Sequence, residues 1–231
     1  MIIEALKSPE KIDTLQKPTG VKPAQLKPTL VRNIELSGEI KNIGPFEISP
    51  DTTISRIVNH FGGGAPRSKK IKAVQFGGET GLCLSSADFG LTLEDALRKA
   101  GFSGKLTQIA VIPEGVCMVE LARDSIASTI DGLCGKCIPC REGTKRVQEL
   151  LDKLIDGAGE EEDIELLDDL CDTISYTSLC RLGKVSISTV ESSMRFFKEE
   201  YLSLLKSKSK EIHTSHIKNA ENRILKQAQI A

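Results

Sequence analysis

The feature that most constrains this chain is a short loop with three regularly spaced cysteines. Residues 133–145 read LCGKCIPCREGTK and contain a C-x-x-C-x-x-C motif. Three closely spaced thiolates can each occupy one corner of an iron–sulfur cubane, and the fourth corner then recruits a residue from elsewhere in the chain. The cysteines of the motif are Cys134, Cys137 and Cys140, and the candidate fourth ligand is the distant Cys180.

Three kinds of site can use such cysteines. Zinc sites usually pair two C-x-x-C motifs or mix Cys with His, and a redox dithiol needs only one such pair. Here one loop supplies three thiolates and a remote turn supplies one. That distribution favours a [4Fe–4S] cluster over zinc, and zinc over a redox dithiol, but the residues alone leave all three open.

Residues beside the cysteines suit an anionic cluster. Gly135 permits a tight turn that points backbone amides at sulfur. Lys136 and Arg141 bring positive charge to the site, which favours the reduced form of a cluster. The turn TSLCRLG, residues 177–183, offers hydroxyl groups and a flexible glycine around Cys180. Two further cations, which can equally be solvated residues on a helix, are Lys145 and Arg146.

The remaining cysteines are interpreted as ordinary packing residues. Cys171 falls on the apolar face of a predicted helix, Cys117 alternates like a strand residue, and Cys83 follows a glycine-rich turn. The seven cysteines form an odd number and no export signal is recognised, which favours metal ligands or core residues over disulfides. The histidines show no ligand spacing to any cysteine; they are His60, His213 and His216.

Composition argues against several functions. The net charge of −1 and the absence of Trp give no basis for a nucleic-acid surface. No apolar run approaches the ~18 residues of a membrane span. There is no nucleophile elbow or triad, and the glycine stretches FGGGAPRS and FGGETGLC lack the context of a phosphate loop, so they are interpreted as turns. The sequence predicts a cytoplasmic protein with no complete catalytic site of its own.

The chain is expected to divide into four segments. Residues 1–30 are a proline-rich arm, residues 31–119 a small α+β domain with a mixed sheet, and residues 120–205 a bundle of about four helices. Residues 206–231 form a basic tail. Arm and tail are candidate docking segments for partner proteins, and Arg67, Lys69 and Lys70 are candidates to face an anionic partner.

Periodicity and capping residues locate the main elements. Strands are predicted at 33–40, 46–49, 70–78 and 108–122. Helices are predicted after an N-cap at Asp51, at 92–100, at 118–131, at about 142–155, after the glycine break at 157–159, and at about 186–205. In the last helix the inward residues are expected to be Val190, Met194, Phe197, and Leu202 or Tyr201.

Three sequence stretches together resemble one protein family. CGKCIPCREGT, LLDDLCDTISYTSLCRLG and a helix ending FFKEEY strongly resemble the C-terminal iron–sulfur domain of the NADH-binding flavoprotein subunit of respiratory complex I. Diaphorase subunits and the β subunits of electron-bifurcating hydrogenases carry the same domain. Upstream, IELSGEIKNIGPFEI and IKAVQFGGETGLCL resemble the β-grasp-like SLBB domain. The resemblance covers about residues 30–203 and implies Cys134, Cys137, Cys140 and Cys180 as ligands of one [4Fe–4S] cluster.

The resemblance also implies a limit on function. In that family the flavin and NADH sites lie in a glycine-rich α/β domain before the SLBB domain, and no such site carries over to any position here. The chain is therefore expected to be an electron-transfer subunit of a hetero-oligomeric oxidoreductase complex. It would relay single electrons between a flavin- or NAD(P)H-linked site on a partner and another iron–sulfur protein. The alternative is a scaffold or binding module in which the cluster is structural.

Overall fold

The computed structural model describes residues 31–66, 69–78 and 80–205. The predicted arm at 1–30, the basic tail at 206–231 and the candidate anion-facing residue Arg67 lie outside the described residues.

The first half of the described chain is built on a five-stranded mixed sheet. Its strands are β1 (Arg32–Gly38), β2 (Gly44–Ile48), β3 (Ile71–Phe76), β4 (Leu82–Ser85) and β5 (Gln108–Pro113). Their order across the sheet is β2-β1-β5-β3-β4. β1 and β5 pair in parallel, with Leu36 opposite Ile109, whereas every other neighbouring pair is antiparallel. This arrangement confirms the predicted α+β layout at the level of a mixed sheet accompanied by helices.

Two helices cover one face of this sheet. The first begins as an α-helical turn, α1 (Ile54–Arg56), and continues as a π-helical turn over Ile57–Phe61. The second, α2 (Leu93–Ala100), has Thr92 as a capping residue whose hydroxyl accepts the Asp95 amide. Their apolar residues pack with alternate residues of β1, β3 and β5 into one hydrophobic core. Burial of this apolar surface is what holds helix and sheet together.

The second half is helical. Its helices are α3 (Met118–Ile130), α4 (Ile138–Ile155), α5 (Glu161–Thr177), α6 (Arg181–Val185) and the helical residues 188–205, here α7. The predicted inward face of α5 is confirmed, because Ile164, Leu167, Cys171 and Ile174 are all buried. Of the predicted inward residues of α7, Val190 and Tyr201 are buried, whereas Met194, Phe197 and Leu202 are partly buried and pack against a core cluster. No helix within the described ranges is both long and apolar enough to cross a membrane.

The sheet and the helical half are joined by a set of contacts, here called the seam. A small buried cluster joins Ala73, Cys83 and Ile112 of the sheet to Met118, the first residue of α3. The amide of Cys83 donates to Ser192 Oγ of α7 at 2.9 Å. Lys72 of β3 forms an ion pair of 2.6 Å with Glu200 of α7, which also accepts the amide of Met118. Residues 31–205 therefore pack as parts of one compact unit.

Several predicted details are wrong. The first helix is capped by Thr53, not Asp51, because the Thr53 hydroxyl accepts the amide of Arg56. The strand predicted over 108–122 ends at Pro113, and Cys117 is the N-cap of α3 instead of a strand residue. The interpretation of FGGETGLC as a turn missed β4, in which Cys83 lies. Helix α4 begins at Ile138, earlier than predicted, because Pro139 suits the first turn of a helix.

Candidate iron–sulfur site

The cysteine loop is shaped by the start of α4. Cys134 is exposed in the loop, Cys137 is the N-cap residue of α4, and Cys140 lies buried in its first turn. Gly135 adopts a φ of +65°, a left-handed conformation that glycine tolerates best, and its carbonyl accepts a hydrogen bond from Arg141 Nη1 at 3.3 Å. This hydrogen bond of Arg141 links the loop that carries Cys134 to the helix that carries Cys140.

Cys180 is presented by a second helix start. It is the N-cap residue of the short α6, and its sulfur accepts the backbone amide of Gly183 at 3.5 Å. The residues between α5 and α6 are only Ser178, Leu179 and Cys180. This tight connection brings the end of α5 and the start of α6 to the cysteine loop.

The thiols of the two segments lie close enough to affect one another. Burial raises the pKa of Cys140, and the neighbouring thiols of Cys137, Cys180 and Cys134 raise it further. The pKa of Cys137 is lowered, chiefly because the backbone amide of Leu179 donates to its sulfur. An amide from the Cys180 turn therefore contacts a thiol of the 134–140 loop, and the thiols of Cys134, Cys137 and Cys180 all act on that of Cys140.

Within residues 31–66, 69–78 and 80–205, no three His, Cys, Asp or Glu side chains converge closely enough to hold a single metal ion. A [4Fe–4S] cluster makes a different demand, because each thiolate binds its own iron and the sulfurs stand apart around the cluster. Four thiols drawn from one loop and one remote turn are a donor set of the soft type that iron–sulfur clusters use. The residues present fit such a group.

The backbone of Gly183 lies directly against the side chains of Cys140 and Ser178. A Cβ atom placed on Gly183 would lie 3.2 Å from Cys140 Sγ and 3.0 Å from both Cβ and Oγ of Ser178. Gly183 is therefore required by close approach. The Ser178 hydroxyl is buried and has no hydrogen-bond partner. A polar atom left unsatisfied beside a buried thiol is what a missing polar group at this place would produce.

The predicted cations differ in their position. Arg141 remains at the site and also pairs with Glu142 at 2.7 Å, while Lys136 is exposed in the loop. Arg146 instead pairs with Glu149 at 2.9 Å along α4, so it behaves as an ordinary helix-surface residue. Lys69, one of the candidates for an anionic partner, is paired with Glu39 at 2.9 Å.

Two cysteines outside the site behave as core residues, as predicted. Cys171 and Cys83 are fully buried. Burial raises the pKa of Cys83 to about 12, although a hydrogen bond with Ser192 opposes that shift. Burial likewise raises the pKa of Cys171. Their thiols stay protonated near neutral pH and differ in this respect from thiolate ligands.

Sequence reasoning missed the contributions of Leu179 and Ser178. Leu179 contributes its backbone amide, which its identity does not reveal. The hydroxyl groups predicted in the turn around Cys180 belong to Thr177 and Ser178. That of Thr177 donates to the Thr173 carbonyl within its own helix, whereas that of Ser178 is buried without a partner. The signal that could have distinguished them is helical position, because Thr177 is the last residue of α5 and Ser178 is its C-cap residue, with an extended backbone.

Comparison with known proteins bears directly on this region. Residues 120–204 match the family described as the NADH-ubiquinone oxidoreductase-F iron-sulfur binding region. The NADP-reducing hydrogenase subunit HndC of Solidesulfovibrio fructosivorans is 35% identical over 187 residues, which cover 79% of this chain and 37% of that protein. The F subunit of NADH-quinone oxidoreductase in Escherichia coli K12 is 30% identical over 167 residues, covering 71% of this chain and 38% of that protein.

A solved structure shares the fold. The crystal structure of NAD⁺-reducing [NiFe]-hydrogenase in the H2-reduced state superposes with a TM-score of 0.63 at 18% identity, covering 76% of this chain and 29% of the matched chain. The chain thus spans well under half the length of the relatives it matches. Residues 120–204 belong to the iron–sulfur binding region of the NADH-ubiquinone oxidoreductase F family, and the chain corresponds to the C-terminal part of these longer relatives.

Proposed function

We propose that the chain is an electron-transfer subunit of a multi-subunit oxidoreductase. Cys134, Cys137, Cys140 and Cys180 hold one [4Fe–4S] cluster. The protein relays single electrons between a flavin- or NAD(P)H-linked site on a partner and another iron–sulfur protein. When bound, a cluster of this type accepts and releases one electron at a time.

The observation that carries the proposal is the meeting of four thiols from two distant segments. Cys140 is influenced by the thiols of Cys137, Cys180 and Cys134, although Cys180 follows a whole intervening helix. Cys137 and Cys180 are the N-cap residues of α4 and α6. A hydrogen bond from the Leu179 amide lowers the pKa of Cys137, which favours its thiolate form. Lys136 and Arg141 add positive charge, which offsets the negative charge of thiolate-bound iron.

One side of the site remains open to a partner. Cys134 and Cys180 are exposed, whereas Cys140 is buried. Large apolar side chains beside the cysteines are also exposed, notably Ile138 at 67% and Leu179 at 83%. Exposed apolar residues of this size commonly mark an interaction surface. A redox group at such an edge can come close to a donor or acceptor in a neighbouring protein.

The composition of the metal site provides the direct test. Protein purified without oxygen should contain about four iron and about four acid-labile sulfide per chain, since a cubane has that stoichiometry. Iron, sulfide and zinc are measured on the same sample. Zinc in the absence of sulfide would contradict the proposal.

Substitution of single cysteines tests the ligand set. Cys180→Ser should sharply lower the iron and sulfide content, because it removes one of four thiolates. Cys171→Ser is the matched control, since Cys171 lies on the neighbouring helix α5 and is also a cysteine, but is enclosed in the helical core. It should keep the cluster and lose only stability. Equal loss of iron in both variants would overturn the assignment of Cys180.

We also propose that residues 31–119 form a β-grasp-like SLBB domain and that residues 120–205 form a four-helix-bundle-like domain. The mixed sheet with parallel β1 and β5, flanked by the antiparallel pairs β1–β2 and β3–β4, supports the first assignment. The second is supported by the common core of α3, α4, α5 and α7. An experimental structure in which α1 and α2 do not cover one face of the sheet would contradict the SLBB assignment.

A structural role for the cluster is the second candidate function. It is favoured by the way the four cysteines tie the start of α4 to the start of α6, so that a cluster would cross-link the helical half. Redox titration distinguishes a structural role of the cluster from an electron-transfer role. A cluster that the physiological donor cannot reduce, in a complex that remains active after the cluster is removed, would support the scaffold.

A further inference from the structure

The buried hydroxyl of Ser178 is an anomaly in the helical half. Ser178 is only 3% exposed, and its Oγ is the one buried hydroxyl oxygen in the described part of the chain that lacks a hydrogen-bond partner. Other buried hydroxyls nearby are satisfied within the protein. Ser186 Oγ donates to the carbonyl of Gly183 at 2.7 Å, and Thr144 Oγ1 donates to the carbonyl of Cys140 at 2.7 Å.

The orphaned hydroxyl borders the deepest of the four thiols. One point in space, the Cβ position that Gly183 leaves empty, lies 3.0 Å from Ser178 Oγ and 3.2 Å from Cys140 Sγ. Both atoms therefore pack closely against the backbone of Gly183, on the same side of it. Gly183 itself is buried, so this contact is shielded from bulk solvent.

The backbone around Ser178 is already fixed. Its amide donates to the carbonyl of Ile174 at 3.1 Å, which ends α5. The next amide, that of Leu179, is directed at the sulfur of Cys137. The short connection thus already supplies one donor to sulfur, and the Ser178 side chain is a second donor in the same turn. Burial of a hydroxyl without a partner is unfavourable, so its retention here needs an acceptor.

We propose that the Ser178 hydroxyl donates a hydrogen bond to a sulfur of the cluster at its Cys140 corner. This inference rests on the proposed [4Fe–4S] cluster and assigns Ser178 as a positioning residue that tunes its reduction. Hydrogen bonds to cluster sulfur stabilise the reduced state, which carries more negative charge, and so raise the reduction potential. Ser178 does not bind iron and exchanges no electron.

The first test is a redox titration of the cluster-loaded protein, followed by electron paramagnetic resonance. Ser178→Ala should lower the ratio of reduced to oxidised cluster at a fixed potential by about three- to tenfold. For a one-electron couple this equals a shift of about 30 to 60 mV to lower potential. Ser186→Ala is the matched control, because Ser186 is an equally buried serine whose hydroxyl is already bonded to a carbonyl. Its potential should stay unchanged.

The second test begins with the wild-type protein. After brief transfer to D2O, electron–nuclear double resonance of the reduced wild-type cluster should detect a rapidly exchanging deuteron, since hydroxyl protons exchange faster than hydrogen-bonded amides. The same signal should vanish in Ser178→Ala and persist in Ser186→Ala. An unchanged potential in Ser178→Ala, or a wild-type spectrum without such a deuteron, would overturn the inference.

The two proposals fail in different ways. Absence of iron and sulfide from the wild-type protein would refute the cluster itself. A normal iron and sulfide content in Ser178→Ala with an unaltered potential would refute only the role of Ser178, and would indicate that the hydroxyl is satisfied by a buried water instead.

Discussion

At the scale of single residues, Glu191 stands out in the helical half because the pKa of its carboxyl group is strongly raised. It lines a cavity between α5 and α7 together with Asp168, Arg195 and Lys198. Burial raises the pKa of Glu191 to about 7, and the charges of Asp172 and Asp168 contribute to the shift. The two cations on α7 do not offset burial and the acidic residues of α5.

This environment predicts a pH-dependent stability. A raised carboxyl pKa means that the unfolded chain ionises first, so stability falls as pH rises from about 4.3 to about 7. Glu191→Gln should reduce that fall and stabilise the protein at pH 8 by about 1 kcal/mol, a value reduced for partial solvation. Urea unfolding at pH 5 and pH 8 measures it. Glu165→Gln, an exposed residue of the same cavity, should have no such effect; a similar gain there would contradict the explanation.

At the scale of elements, α6 contributes more to the candidate site than its five residues suggest. It offers Cys180 at its N-cap and the bare surface of Gly183 one turn later. The N–H of Gly183 also contacts the Cys180 sulfur, so the short helix orients a thiol. Because Gly183 has no side chain, its backbone can also lie directly against Ser178 and Cys140.

Gly183→Ala is therefore expected to damage the site. Its methyl group would meet Ser178 and the Cys140 sulfur at 3.0 to 3.2 Å, a distance at which neighbouring atoms must move. We expect cluster content to fall at least twofold, measured as iron and sulfide per chain. Gly132→Ala is the control, because its methyl group would meet only the Thr129 carbonyl at 3.5 Å. Full cluster content in Gly183→Ala would contradict this expectation, because it would show that Ser178 and Cys140 can shift to accommodate the methyl group.

At the scale of the whole molecule, the sheet and the helical half are joined by their seam. Met118 is fully buried between Ala73, Cys83 and Ile112 of the sheet, and Phe197 of α7 packs against the same cluster. The ion pair of Lys72 with Glu200 also connects β3 to α7. The position of the candidate site relative to the sheet is therefore set by packing and not by a flexible linker.

The seam predicts cooperative unfolding. On heating the cluster-loaded protein, circular dichroism and the visible absorbance of the cluster should change in a single transition. Met118→Ala should destabilise the whole unit by about 2 to 4 kcal/mol, because a buried methionine is replaced by a cavity. Leu166→Ala, at a position of α5 that is 40% exposed, should cost far less. Two separate transitions in the wild-type protein would mean that the halves unfold independently.

Much of the fold could be predicted from local patterns. The helical period placed Ile164, Leu167, Cys171 and Ile174 on one buried face, and the alternation in residues 33–40 predicted β1. Errors arose where local signals compete. Cys117 lies in an apolar stretch that fits a strand, yet the chain turns after Pro113 and Cys117 begins a helix. β4 was missed because its flanking glycines dominate the local pattern.

What the sequence by itself determined is the donor set and its local setting. The C-x-x-C-x-x-C spacing, the cations beside it and the distant Cys180 are properties of short segments, and they suffice to predict the kind of site. Only the tertiary structure decided that the Leu179 amide faces Cys137, that Gly183 lies against Cys140, and that the Ser178 hydroxyl is buried without a partner. The reason is physical: these contacts join residues far apart in the chain. They form only because α3, α4, α5 and α7 pack around a common core and α6 follows α5 after three residues.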